Sequence, residues 1–176
     1  MSGPGALPFD PIAEARRQWE AHGWEDAADG MALVTSVIRV QQLYLARIDA
    51  ALRPFGLSFA RYELLTLLSF TRTGALPLSK AGRRLQVHPA SVTNVVDRLE
   101  ADGLVRRVPH PTDGRTTLVE LLPAGRDLLA GATAALNAQV FTQPGVAAPD
   151  ARRLVELLRH IRASAGDFDI DAIPLP

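Results

Sequence analysis

Val92, Val95, Val96 and Leu99 stand at i, i+3, i+4 and i+7, so the segment around them can hide its apolar side only as a helix with one buried stripe. Pro89 suits the first turn, where its missing N–H would have been unpaired anyway. Gly103 suits the position just past the end. The whole stretch 78–103 reads as two short helices around a tight turn. The outer face of the second helix carries Ser91, Thr93, Asn94 and Arg98, side chains that can donate to or accept from base edges and phosphates where a recognition helix enters a major groove. A solvated helix face has the same chemistry, so the segment after Gly103 has to decide between the two.

That segment holds two β-branched runs, 104–108 and 116–121, joined by a stretch with Pro109, Pro111 and the pair Asp113 and Gly114. These are marks of a reversing loop, and the result is a hairpin with a basic tip. Helix, glycine stop and basic hairpin in this order describe a winged helix-turn-helix, whose wing reaches backbone phosphates or a neighbouring minor groove. The expected fold is therefore mainly α with a small β-hairpin wing: a winged helix-turn-helix lobe plus a helical region. Candidate DNA contacts are Lys80, His88, Pro89, Ala90, Ser91, Thr93, Asn94, Arg98, Arg107, His110, Asp113 and Arg115. His88 and His110 fall at the turn and in the wing, where each serves either as a phosphate contact or as a neutral surface histidine.

The stretches 90–107 and 111–115 resemble the recognition helix with its following strand, and the wing, of the MarR family of bacterial transcriptional regulators. The likeness runs from about residue 34 to residue 163. It implies a homodimer whose terminal helices form the interface and whose two lobes grip a pseudo-palindromic operator. It also implies that Arg115 enters the minor groove and that Asp113 pairs with it to hold its direction. One departure stands out: Leu122 occupies the position before Pro123 where the family usually has Thr or Ser, which leaves the next helix without a side-chain cap.

Elsewhere the pattern is helical. Val34, Val37, Ile38, Leu45, Ile48 and Leu52 form a long stripe ending near Pro54. Ser58 can cap a segment whose Tyr62, Leu64, Leu65, Leu67 and Leu68 are nearly continuous, as burial on more than one side requires. Pro123 opens a helix to about Val140, 142–150 is a loop, and a last helix carries Leu154, Leu157, Leu158 and Ile161. The expected division is an amino-terminal extension (1–30), a regulator domain (31–163) and a tail (164–176). Within the domain, 31–56 and 123–163 supply dimerisation helices and 57–122 the DNA-binding lobe. The first and last stripes have no obvious partner once the lobe has closed its core. They pack either on each other within one chain or between two chains related by a two-fold axis.

Composition excludes rivals. The 176 residues carry no cysteine, so disulfides, thiolate metal sites and thiol-based switching are ruled out. The four histidines match no helical metal pair, and neither a glycine-rich phosphate loop nor a nucleophile elbow is present. No enzyme, metal or cofactor is expected. No apolar run nears the roughly 20 residues that span a bilayer, and the start lacks the basic end of a signal peptide, so a cytoplasmic protein is expected. Net charge is zero but unevenly placed. Residues 1–30 hold two arginines against six carboxylates, whereas 79–116 hold seven cations against four, which sets positive potential where DNA would lie.

In residues 1–30, Ile12, Ala15, Arg16, Trp19 and Glu20 have the spacing of an added helix. The family likeness suggests an effector pocket for a small aromatic or purine-like molecule, with Trp19, Tyr44, Phe55 and Tyr62 as candidates. A tryptophan on an amphipathic helix is more often a packing anchor, the other reading of Trp19. Two functions stay open: a homodimeric repressor relieved by a small-molecule effector, or an effector-independent DNA-binding regulator or architectural protein.

Overall fold

The computed structural model describes residues 7–85 and 89–169. The chain runs α1 (Pro11–Ala21), α2 (Glu25–Leu52), α3 (Phe59–Ser69), β1 (Ala75–Pro77), α4 (Leu78–Leu85), α5 (Pro89–Ala101), β2 (Val105–Pro109), β3 (Thr117–Leu121), α6 (Pro123–Leu136) and α7 (Ala148–Ser164). The extension is helical, as its spacing suggested. Asp10 caps α1 by accepting from the Ile12 N–H at 2.9 Å, and Pro11 opens it. Gly23, at φ 78°, turns the chain into α2. That helix starts at Glu25 and runs unbroken for 28 residues, about 42 Å at 1.5 Å per residue, so it crosses the boundary expected at residue 30.

The stripe on α2 divides. Ile48, Ala51 and Leu52 are buried in the lobe, whereas Val34, Val37, Ile38 and Leu45 are exposed. Ser58 caps α3 as expected, its hydroxyl accepting from the Arg61 N–H at 3.4 Å, and Tyr62, Leu64, Leu65 and Leu68 enter the core. That core is a single cluster joining α2, α3, α5, the sheet and α6; Val92, Val96 and Leu99 are its contribution from α5.

The wing has a third strand that the sequence pattern did not reveal. The sheet is antiparallel in the order β1-β3-β2, with Val105 opposite Leu121, Pro109 opposite Thr117, and Leu76 opposite Val119. β1 has three residues, one of them proline, too few for an alternating pattern to register. α5 ends in a glycine turn: Gly103 has φ 68°, its N–H donates to the Glu100 carbonyl at 3.0 Å, and the Leu104 N–H donates to the Leu99 carbonyl at 2.9 Å. Leu122 precedes α6 without a side-chain cap, as expected; its own N–H donates to the Leu104 carbonyl at 3.0 Å. Gly125 packs so closely there that a Cβ would stand 2.3 Å from the Leu104 oxygen. α6 passes through a π-helical turn, Asn137–Phe141, before the loop to α7.

Candidate nucleic-acid interface

On α5 the sequence pattern and the structure agree about which side faces out. Ser91, Thr93, Asn94, Asp97 and Arg98 are exposed, opposite buried Val92, Val96 and Leu99. Pro89 and Ala90 open the helix, and His88 lies outside the described residues. On α4, Lys80 is exposed, and so are Arg83 and Arg84 in its last turn. These two arginines counted toward the basic balance of 79–116 but were not expected as contacts. Consecutive cations closing the helix before the recognition helix were the signal for them.

Three carboxylates on α5 and its terminal turn would repel DNA if left free. Each has an arginine partner. Asp102 pairs with Arg61 at 3.1 Å, while Asp97 and Glu100 both pair with Arg107. Glu100 also accepts from the Arg107 backbone N–H at 2.7 Å. That backbone bond, the larger cause, and the guanidinium beside it hold the Glu100 carboxyl below its ordinary value. Arg106 pairs with Glu120 directly across the sheet at 2.6 Å. Lys80, Arg83, Arg84, Arg98 and Arg115 have no intramolecular ion pair among the described residues. Cations on the outer sides of α4, α5 and the wing tip are therefore left for a ligand. Arg107, expected among the DNA contacts, has its guanidinium shared between two carboxylates instead.

The wing tip corrects a second expectation. Asp113 does not reach the Arg115 guanidinium. Its carboxylate accepts from the Thr116 hydroxyl at 2.7 Å and from the Arg115 backbone N–H at 3.0 Å. These bonds, the Thr116 one foremost, hold its pKa low. A short carboxylate side chain so close in sequence to the backbone closes the turn on itself before it can span to a long side chain. The Thr116 N–H donates to the Asp113 carbonyl and the His110 N–H to the Thr116 carbonyl, each at 3.0 Å. The His110 ring accepts from the Thr112 N–H at 3.3 Å. Arg115 is thus presented on a closed loop, with its side chain exposed.

Residues 57–117 match the MarR family. The chain is 46% identical to Sco5413, a MarR family transcriptional regulator from Streptomyces coelicolor, over 80% of this chain and 98% of that one, with a TM-score of 0.72. This chain belongs to the MarR family. It is also 32% identical over 82 residues to the HTH-type transcriptional regulator YhbI of Bacillus subtilis, 47% of this chain and 52% of that protein, so it spans about half of that curated relative's length. Sco3205, a second MarR family regulator from Streptomyces coelicolor, has been crystallised in complex with DNA. It shares the fold at 23% identity, covering 78% of this chain and 88% of its own, with a TM-score of 0.69.

The fold is thus the winged helix of MarR-family proteins. The four residues expected to form its effector pocket do not converge within one chain. Trp19 packs edge-on against Trp24, with ring centroids 5.3 Å apart. Trp24 precedes Tyr44 by 20 residues along α2, about 30 Å of helix, so Trp19 and Tyr44 lie far apart along it. Tyr62 is core, its hydroxyl 3.2 Å from the Thr133 hydroxyl, and Phe55 packs on Gly131. Tyr44 does line a cleft of about 270 Å³, with Ile48, Val140, Phe141 and Pro144, and donates its hydroxyl to the Pro144 carbonyl at 2.6 Å.

Proposed function

We propose that this MarR-family regulator is a homodimeric repressor that binds a pseudo-palindromic operator with α5 in the major groove and the wing over the neighbouring minor groove. The observation that carries this reading is the sorting of charge on the lobe. The two carboxylates of α5 are engaged internally by Arg107, while Lys80, Arg83, Arg84, Arg98 and Arg115 are exposed with no ion-pair partner among the described residues, as are the polar Ser91 and Asn94 on the outer face of α5. Such cations attract the phosphate backbone, and the polar outer face of α5 offers the groups that read base edges.

Dimerisation is supported by apolar faces that the chain itself leaves uncovered. On α7, Leu154, Leu157, Leu158 and Ile161 are exposed, and so are Val34, Val37, Ile38 and Leu45 on α2. A second copy offers the same two rows in reverse order, which is what an isologous interface requires. Two lobes related by a two-fold axis then meet successive half-sites.

We assign the relief of repression to a small aromatic or purine-like molecule. The Tyr44 cleft supports this, being apolar, with one hydroxyl and one carbonyl to orient a ligand of modest size. The test is a footprint on the DNA upstream of the protein's own coding sequence, with light scattering on the purified protein. A protected palindrome and a particle near twice 19.0 kDa are expected; a monomer that still protects a palindrome overturns the dimer. Thermal shifts with small phenols and purines, repeated with operator DNA, then test the effector. Uniformly absent shifts leave the effector-independent regulator as the reading.

A further inference from the structure

We infer that Arg107 is a positioning residue: by bridging Asp97 and Glu100 it fixes the angle between the recognition helix and the wing, and so sets where Arg115 meets DNA. The inference deepens the DNA-binding reading above and rests on it.

The geometry begins at Gly103. The wing leaves α5 through a left-handed glycine turn, at φ 68°, a joint whose backbone has the widest conformational freedom of any residue. The Arg107 side of β2 is a second attachment. The Arg107 backbone N–H donates to Glu100 at 2.7 Å, one guanidinium nitrogen donates to the same carboxylate, and another donates to Asp97. β2 is an edge strand, and its outward N–H is met by the recognition helix instead of water. Asp97 and Glu100 stand at i and i+3 on α5, so a single fork spans one turn of the helix. β1 already holds the hairpin on its β3 side; the Arg107 bridge is what ties its β2 edge to α5 itself and so sets the direction of the wing relative to that helix.

Charge argues against a direct role for Arg107 on phosphate. One guanidinium between two carboxylates leaves a cluster of formal charge −1, which repels the backbone. Partly exposed ion pairs add little to stability. The side chains of Asp97, Glu100 and Arg107 are 57%, 36% and 29% exposed, so the bridge acts on direction far more than on folding.

This makes a prediction of unusual sign. Asp97 lies on the outer side of α5, and replacing it with Asn removes a negative charge from a DNA-facing surface. Electrostatics alone would then strengthen binding. The strut requires the opposite. The experiment is a fluorescence-anisotropy titration of the footprinted duplex with wild type, Asp97→Asn, Arg107→Met, Arg115→Ala and the two doubles that pair Arg115→Ala with each. Melting temperatures accompany each titration.

Asp97→Asn and Arg107→Met are each expected to weaken operator binding roughly tenfold with melting temperatures near wild type. Arg115→Ala should cost little more in either background than the strut variant alone, the non-additivity of residues acting as one unit. Three results would overturn the strut while wild type still binds: an Asp97→Asn protein that binds as tightly as wild type or tighter, losses for Arg107→Met and Arg115→Ala that simply multiply, or no loss for Arg115→Ala alone. Wild type that recognises no duplex overturns the DNA-binding reading itself, and the strut with it.

Discussion

Leu99 and Leu157 are the same residue type on two amphipathic helices, and the chain treats them oppositely. Leu99, on α5, is 0% exposed, whereas Leu157, on α7, is 55% exposed. The lobe closes its core from α2, α3, α5, the sheet and α6, so its stability belongs to one chain. The outer half of α2 and the whole apolar row of α7 have nothing equivalent among the described residues, and in the proposed dimer a second copy buries them. On that reading one region is a folding unit and the other an association unit.

The largest expected effect separates them. Leu99→Ala should cost about 2–5 kcal/mol of stability, the usual range for a leucine deleted from a packed core, at every protein concentration. Leu157→Ala should lower the melting temperature only where dimer is populated, so that dilution erases the difference. Denaturation at two concentrations a hundredfold apart checks both. Concentration-independent loss for Leu157→Ala would mean that α7 packs within its own chain.

Next in size is the recognition face. Asn94→Ala or Arg98→Ala should weaken operator binding by roughly 1–3 kcal/mol while leaving melting and dimerisation unchanged. A gel-shift titration with unchanged affinity for both variants would reduce that face to solvated surface.

The smallest effects lie at the wing tip. Arg115→Ala should lower affinity for all sites and reduce the slope of log K against log salt by about one. Asp113→Ala should act more weakly, by loosening the turn that presents Arg115 through its backbone N–H and the Thr116 hydroxyl. Parallel salt titrations at equal affinity for wild type and Arg115→Ala would leave the wing a structural hairpin.

Signals legible in the sequence were those with period or punctuation. Val92, Val96 and Leu99 named the buried side of α5, Gly103 its end, and Ser58 the start of α3. β1 escaped because three residues carry no period, and it becomes a strand only by pairing with β3. The roles of Arg107 and Asp113 escaped for a different reason. Sequence marks an arginine or an aspartate near DNA-facing elements as a contact, but whether its charge is spent internally depends on which groups the fold brings within hydrogen-bond reach. Asp97 and Arg107 are ten residues apart, on a helix and a strand. The spread of the four aromatic candidates has a similar cause: residues that look alike in composition fall on different elements, Trp19 on α1, Tyr44 on α2, Phe55 just after α2 and Tyr62 on α3.

Leu104 occupies the junction where three elements meet. Its N–H is bound to the end of α5, its carbonyl to the chain entering α6, and the backbone of Gly125 lies against that same oxygen. A helix seated this closely cannot roll about its own axis, because any rotation drives its backbone into the strand root. The first turn of α6 and the root of the wing thus form one packed joint, which any side chain at residue 125 would force apart.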